Sequence, residues 1–61
     1  MKAEKFNTFE RAHIRAYELS KDNSTVAVIL SEDKYYVDDN TFIRTWEKLL
    51  EVFEEGKLIT Y

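Results

Sequence analysis

The sequence predicts an α+β domain of element order α-β-β-α, with two helices packed on one face of a small antiparallel sheet. Two segments, 8–21 and 41–55, repeat apolar residues at spacings of three and four, which is typical of helices. A run rich in β-branched residues lies between them, at 25–30, and predicts a strand. Two one-sided helices need a common apolar surface, which a small sheet supplies. With 61 residues and no visible linker, the chain is interpreted as a single domain, 1–61.

The first helix is predicted over residues 8–21. Asn7 or Thr8 can cap its start, because short polar side chains accept a hydrogen bond from a free backbone N–H group. His13, the only histidine, lies among the core-facing residues and is therefore interpreted as a packed structural residue. The core-facing residues are Phe9, Ala12, His13, Ala16 and Leu19.

A β-hairpin is predicted next, with strands at 25–30 and 35–37 and a turn at 31–34. The expected register pairs Leu30 with Tyr35 and Ile29 with Tyr36, and a slip of one residue would exchange the two faces. The more apolar face, expected under the helices, carries Val26, Val28, Leu30, Tyr35 and Val37. The opposite face carries Thr25, Ala27, Ile29 and Tyr36. Because this second face is not polar, it is covered by the 57–61 tail, bound by a second copy or another protein, or left as a small uncovered apolar patch.

The second helix is predicted over residues 41–55. Its apolar stripe consists of Phe42, Trp46, Leu49, Leu50 and Phe53, with Ile43 at the edge. The polar cluster 38–41 is expected to cap its start, and Gly56 is expected to end it. The tail 57–61 alternates in polarity and predicts a possible third strand, in this sheet or paired with another chain.

The composition argues against several kinds of site. The chain has no cysteine, one histidine and one glycine, which excludes disulfides, thiolate or multi-histidine metal sites and a glycine-rich phosphate loop. No nucleophile–base pair is visible, so we expect neither an enzyme nor a cofactor. The net charge of −3 makes nucleic-acid binding an unfavoured interpretation. No apolar run is long enough to span a membrane or to form a signal peptide, which predicts a cytoplasmic protein.

The favoured functional hypothesis is a small non-enzymatic protein-binding module that forms a homodimer. Small domains without disulfides or metals are often stabilised by a second subunit. The interface is predicted at the outer sheet face and its edge, with aromatic and aliphatic anchors. The predicted interface residues are Ala27, Ile29, Tyr36, Ile59 and Tyr61.

The alternative hypothesis is an acidic inhibitor or nucleic-acid mimic that blocks a nucleic-acid-binding protein. If residues 41–55 are helical, four glutamates lie near one another on its surface. They are Glu47, Glu51, Glu54 and Glu55. The small size and acidity of the chain are also typical of accessory proteins of phages and mobile elements.

Overall fold

In the described part of the chain, one helix and a five-stranded antiparallel sheet make up the fold. The computed structural model describes residues 2–22 and 24–59. The elements, in chain order, are β1 (Glu4–Phe6), α1 (Phe9–Ser20), β2 (Thr25–Ser31), β3 (Lys34–Asp38), β4 (Lys48–Glu54) and β5 (Lys57–Ile59). The strand order across the sheet is β1-β3-β2-β4-β5, and each neighbouring pair is antiparallel. The residues that the structure describes therefore form an α+β fold, but with one helix where two were predicted and with five strands.

The first helix agrees with its prediction to within a residue at each end. Thr8 is the N-cap: its backbone is extended, and its Oγ1 accepts a hydrogen bond from the Arg11 backbone N at 3.3 Å. Ala12 and Ala16 are completely buried against the sheet, and such small side chains let the helix backbone approach the strands closely. Ile14, on the side away from the sheet, leaves 57% of its surface exposed.

The hairpin of β2 and β3 confirms the predicted register. Leu30 lies opposite Tyr35, Ile29 opposite Tyr36, and Val28 opposite Val37. The connecting turn is shorter than predicted, because only Glu32 and Asp33 lie outside the paired residues. Both have positive φ, 50° and 66°, which is the turn geometry that matches the right-handed twist of paired strands.

The predicted second helix at 41–55 is wrong. Residues 39–47 form a connecting segment with no helix or strand, which we call the 39–47 loop, and β4 follows it. The pairing of β4 with β2 contains a bulge: Val28 lies opposite Glu51, whereas the next residue, Ile29, lies opposite Leu49. Leu50 is therefore an extra residue, and it packs on the helix side of the sheet together with Phe53. The bulge puts Leu50 and Phe53, three residues apart, on the same face of the sheet, which is also the spacing of apolar residues in a helix.

The residues expected to cap the two ends of that helix lie in turns instead. The Asn40 Oδ1 accepts a hydrogen bond from the Phe42 backbone N at 3.0 Å, which bends the chain into the 39–47 loop. Glu55 and Gly56, with φ of 52° and 76°, form the tight turn between β4 and β5. The predicted strand in the tail is present as Lys57–Ile59 and pairs with β4 of its own sheet. Residues 60 and 61 lie outside the described residues.

Strand β1 was not predicted from the sequence. It pairs with β3 and directs Glu4 and Phe6 toward the helix side, opposite Val37 and Tyr35. The Glu4 carboxylate accepts two hydrogen bonds from the Arg15 guanidinium, at 2.9 and 3.2 Å, and so connects β1 to α1. This hydrogen-bonded carboxylate raises the pKa of Arg15 above its ordinary value.

The main core lies between α1 and the sheet. Its buried residues are Ala12, Ala16, Val26, Val28, Val37 and Phe53, surrounded by Phe6, Leu19, Tyr35 and Leu50. The sequence interpretation had placed Val26, Val28 and Val37 on this inner face, and the structure agrees. The apolar face of α1 and the inner face of the sheet thus bury a common core.

Ser20 connects the end of α1 to the turn between β4 and β5. Its buried hydroxyl donates a hydrogen bond to the Tyr17 carbonyl at 2.8 Å and accepts one from the Gly56 backbone N at 3.2 Å. Ser20→Ala should lower the free energy of unfolding by about 1–3 kcal/mol, because it leaves the Gly56 N–H without this partner. Urea unfolding of both variants measures it, with Ser24→Ala as the control expected to change stability by less than about 0.5 kcal/mol. Equal losses from the two changes would contradict the role of the Ser20 hydroxyl.

Candidate protein-binding face

The face of the sheet opposite α1, here called the outer face, contains two adjacent rows of paired residues. One row crosses four strands and consists of Lys5, Tyr36, Ile29 and Leu49. The other consists of Asp38, Ala27, Val52 and Ile59. Four of the five predicted interface residues therefore share this face, namely Ala27, Ile29, Tyr36 and Ile59. The fifth, Tyr61, lies outside the described residues.

The centre of the outer face is closed rather than open. Ala27, Ile29 and Val52 are buried in a second apolar cluster, against which Tyr36 and Leu49 pack. Ala27 exposes none of its surface and Ile29 only 6%, so neither has much surface with which to contact a partner. Tyr36 is half-buried and Ile59 is 41% exposed, and these two side chains are the accessible part of the predicted interface.

The 39–47 loop carries large apolar side chains that remain in solvent. Phe42 is 87% exposed, Trp46 60% and Ile43 40%. The sequence interpretation placed Phe42 and Trp46 in the core stripe of a helix, and that placement is wrong because the segment is not helical. Two exposed aromatic side chains on one short loop are a feature of binding surfaces.

A groove of about 450 Å³ lies between the 39–47 loop and the outer face. Ile29 and Tyr36 line it from the sheet, and Phe42 and Trp46 line it from the loop. This volume falls within the range of roughly 300–1,000 Å³ that is typical of small-ligand pockets in proteins. The charged residues along the groove are Glu32, Asp38, Arg44 and Glu47.

Arg44 and Glu47 hold the loop in its bent form. The Glu47 Oε1 accepts a hydrogen bond from the Arg44 backbone N at 2.9 Å, and the Glu47 backbone N donates one to the Arg44 carbonyl at 3.0 Å. The Arg44 guanidinium lies over the Trp46 ring, 5.5 Å from its centroid. The side chain of Arg44 is nevertheless 70% exposed.

The four glutamates of the acidic hypothesis do not form a common strip. Glu47 lines the groove, whereas Glu51 faces α1 and is largely buried. Glu54 and Glu55 lie at the other end of β4, at the turn to β5. The strip depended on the helical spacing of residues 41–55, and a strand with a bulge separates the same residues.

His13 connects α1 to β4. Its Nδ1 lies 2.7 Å from the Glu51 Oε1, and its ring packs against Phe53 and Phe9 with centroid distances of 5.2 and 5.7 Å. These contacts place the His13 ring between α1 and β4, and 41% of the side chain remains exposed.

Within the described ranges 2–22 and 24–59, no cluster of three or more His, Cys, Asp or Glu residues is arranged to hold a metal ion. In the same part of the chain no helix has the length and apolar character needed to cross a membrane. Comparison with protein-family models, curated proteins and solved structures finds no match to this chain.

Proposed function

We propose that this protein is a non-enzymatic protein-binding module that forms a homodimer through its outer face and the 39–47 loop. The observation that supports the proposal is the position of Phe42 and Trp46, which project into solvent beside a groove on the same face. The partner proposed for this surface is a second copy of the chain.

A two-fold dimer uses the same surface on both subunits, so that surface must be complementary to itself. The outer face has the two parts that this requires. Phe42 and Trp46 project from the loop, and the groove beside them can receive side chains of the other copy. Two such contacts, related by the two-fold axis, would form together.

The size of the molecule and the exposed aromatics suit a moderate affinity. An ordinary interface buries about 800 Å² per partner, which is about a fifth of the 4446 Å² surface of the chain. Burying a large apolar side chain contributes about 1.5–3 kcal/mol, and each copy offers two. The entropic cost of association offsets much of this gain, so we expect a weak dimer with a dissociation constant between about 1 μM and 1 mM.

The acidic inhibitor hypothesis receives less support than the homodimer. Its four glutamates lie on different sides of the sheet and at both ends of β4. A basic partner surface could therefore not contact all four at once.

The mass in solution across dilution tests the proposal. Sedimentation equilibrium from about 1 μM to about 1 mM should show the mass rising from that of the 7.3 kDa chain to twice that value. A 7.3 kDa species that persists at about 1 mM would refute the homodimer.

A further inference from the structure

The groove on the outer face runs along strand β3. Its lining includes Glu32, which lies in the turn before β3, and Asp38, at which β3 ends. At about 3.3 Å per residue, β3 itself spans about 13 Å. A groove of this length can hold an extended chain segment of about four or five residues.

One end of the groove combines two carboxylates with an aromatic ring. The pairing of Lys48 with Leu30 brings the last residues of the 39–47 loop to the end of β2 that leads into the turn. Glu47 and Trp46 therefore line the groove at the same end as Glu32. We call these three residues the acidic end of the groove.

The groove as a whole carries an excess of negative charge. The charged residues of its described lining are Glu32, Asp38 and Glu47 and the single cation Arg44, which gives a formal charge of −2. The side chains of Asp38 and Asp39 share a hydrogen bond, so Asp38 is already engaged. Glu32, in contrast, takes part in none of the ion pairs formed among residues 2–22 and 24–59.

Two lysines of the outer face do not neutralise this charge. The Lys34 Nζ donates a hydrogen bond to the Asn7 Oδ1 at 3.0 Å. Lys5 belongs to the lining of a different pocket, between β1 and the start of α1. The acidic end is thus left with Arg44 as the cation beside it.

Arg44 shows how a cation fits at the acidic end. Its guanidinium lies 5.5 Å from the centroid of the Trp46 ring, within the distance of about 6 Å at which a ring face attracts a cation. Its Nη1 lies 3.9 Å from the Glu47 Oε2, which is longer than a hydrogen bond, and 70% of its side chain is exposed. The chain's own arginine therefore holds this position only loosely, and a guanidinium from another molecule can replace it.

We propose that the groove binds an extended basic segment of a different protein, with an arginine side chain of that segment in the place of Arg44 at the acidic end. Arginine suits this position because its planar group can bond a carboxylate and stack on a ring at once. The charge of the groove favours a basic segment over an acidic one. The exposed Phe42 ring offers a contact to the apolar side chains of the segment. Such binding goes beyond the homodimer and does not require it.

The fluorescence of Trp46 tests the proposal without a label, because Trp46 is the only tryptophan of the chain and lines the groove. The probe is a blocked peptide of six residues that alternates arginine and alanine, since alternate side chains of an extended segment point the same way. Added up to about 1 mM to the chain at about 0.2 μM, it should change the fluorescence along a saturating curve. Added salt should weaken this binding. The same peptide with glutamate in place of arginine should leave the fluorescence unchanged.

Charge variants locate the binding site. The double variant Glu32→Gln, Glu47→Gln should weaken peptide binding at least about tenfold, because it removes the charge of the acidic end. Glutamine at 47 keeps an oxygen that can accept the hydrogen bond from the Arg44 backbone N. Arg44→Gln should strengthen binding about threefold or more, because it removes the competing cation. The control variant Glu10→Gln, Glu54→Gln removes the same charge on α1 and at the far end of β4, and should leave the affinity within about twofold.

Three results would overturn the proposed binding. They are an unchanged fluorescence up to about 1 mM peptide, equal binding of the arginine and glutamate peptides, and a control variant that loses as much affinity as Glu32→Gln, Glu47→Gln. An Arg44→Gln chain that binds the peptide no more tightly would overturn the replacement of Arg44. At about 0.2 μM the chain is below the dissociation constant expected for the dimer, so these results do not depend on self-association. A chain that binds the peptide but stays monomeric at about 1 mM would refute the homodimer and support the basic partner.

Discussion

Replacing Phe53 by alanine is expected to lower the free energy of unfolding by about 3–5 kcal/mol, as large-to-small changes of buried aromatics do. Phe53 is 3% exposed and lies in the main core between β4 and α1. Its ring packs edge-on against those of His13 and Tyr17, with centroid distances of 5.2 and 6.2 Å. The alanine variant would leave a cavity beneath the helix and remove both ring contacts. Because a domain of this size has little stability to lose, the variant should be largely unfolded at 37 °C.

Phe42→Ala is the matched control for this prediction. A helix at 41–55 would place Phe42 and Phe53 in the same core stripe, whereas the structure leaves Phe42 87% exposed. The stability of the monomer should therefore change by less than about 0.5 kcal/mol. Urea unfolding at low protein concentration makes the comparison, because dimer formation would otherwise add to the apparent stability. Similar losses from both changes would contradict the fold of this segment.

Replacing Trp46 by alanine is expected to raise the dissociation constant of the dimer by about 30- to 1,000-fold, which corresponds to the roughly 2–4 kcal/mol of an interface hot spot. Trp46 is 60% exposed in the single chain, lines the groove and supports the Arg44 guanidinium. The variant removes a large apolar surface and the ring on which that side chain rests. Sedimentation or dilution calorimetry measures the dissociation constant, and unfolding should show a monomer of nearly unchanged stability.

Ile14→Ala is the control for the dimer. Ile14 is 57% exposed, comparable to Trp46, but it lies on α1 on the opposite side of the sheet from the groove. Its replacement should leave the dissociation constant within about twofold. If Ile14→Ala weakened the dimer as much as Trp46→Ala, the interface would lie on the helix and not on the outer face.

The parts of the fold that the sequence predicted are those whose local signals agree with one another. In α1 the apolar spacing, the Thr8 cap and the buried alanines all indicate the same helix. In the hairpin the β-branched run predicts a strand, and the unequal apolarity of its two faces fixes the register. Because Leu30 and Tyr35 belong to the more apolar face, their pairing could be predicted from the sequence, without knowledge of the tertiary contacts.

The second half of the chain could not be predicted in the same way. A bulge in β4 interrupts the alternation of apolar and polar residues by which a strand is recognised. Leu50 and Phe53 share a face of β4 at the spacing of a helix, and Leu49 belongs to the other face. One available signal was Gly56, which follows Glu55 and precedes an alternating tail, a pattern that suits a hairpin as well as a helix end. Strand β1 has three residues, too few for a pattern to be recognised.

The candidate site was predicted in part, for the same reasons. The correct register placed Ile29 and Tyr36 together on the outer face, since that follows from the hairpin alone. The groove depends on the 39–47 loop, and the assumption of a helix placed Phe42 and Trp46 in the core. The groove could be recognised only after the loop was known to lie beside the outer face.

In the proposed homodimer, the outer face and the 39–47 loop form the surface at which two copies meet. Backbone amide chemical shifts of a ¹⁵N-labelled sample, followed from about 10 μM to about 1 mM, test this arrangement residue by residue. The amides of Phe42, Arg44, Trp46 and Tyr36 should shift together along one concentration curve, while those of the exposed side of α1 should stay unchanged. Shifts confined to the surface around Ile14, with no shift in the 39–47 loop, would rule out this interface.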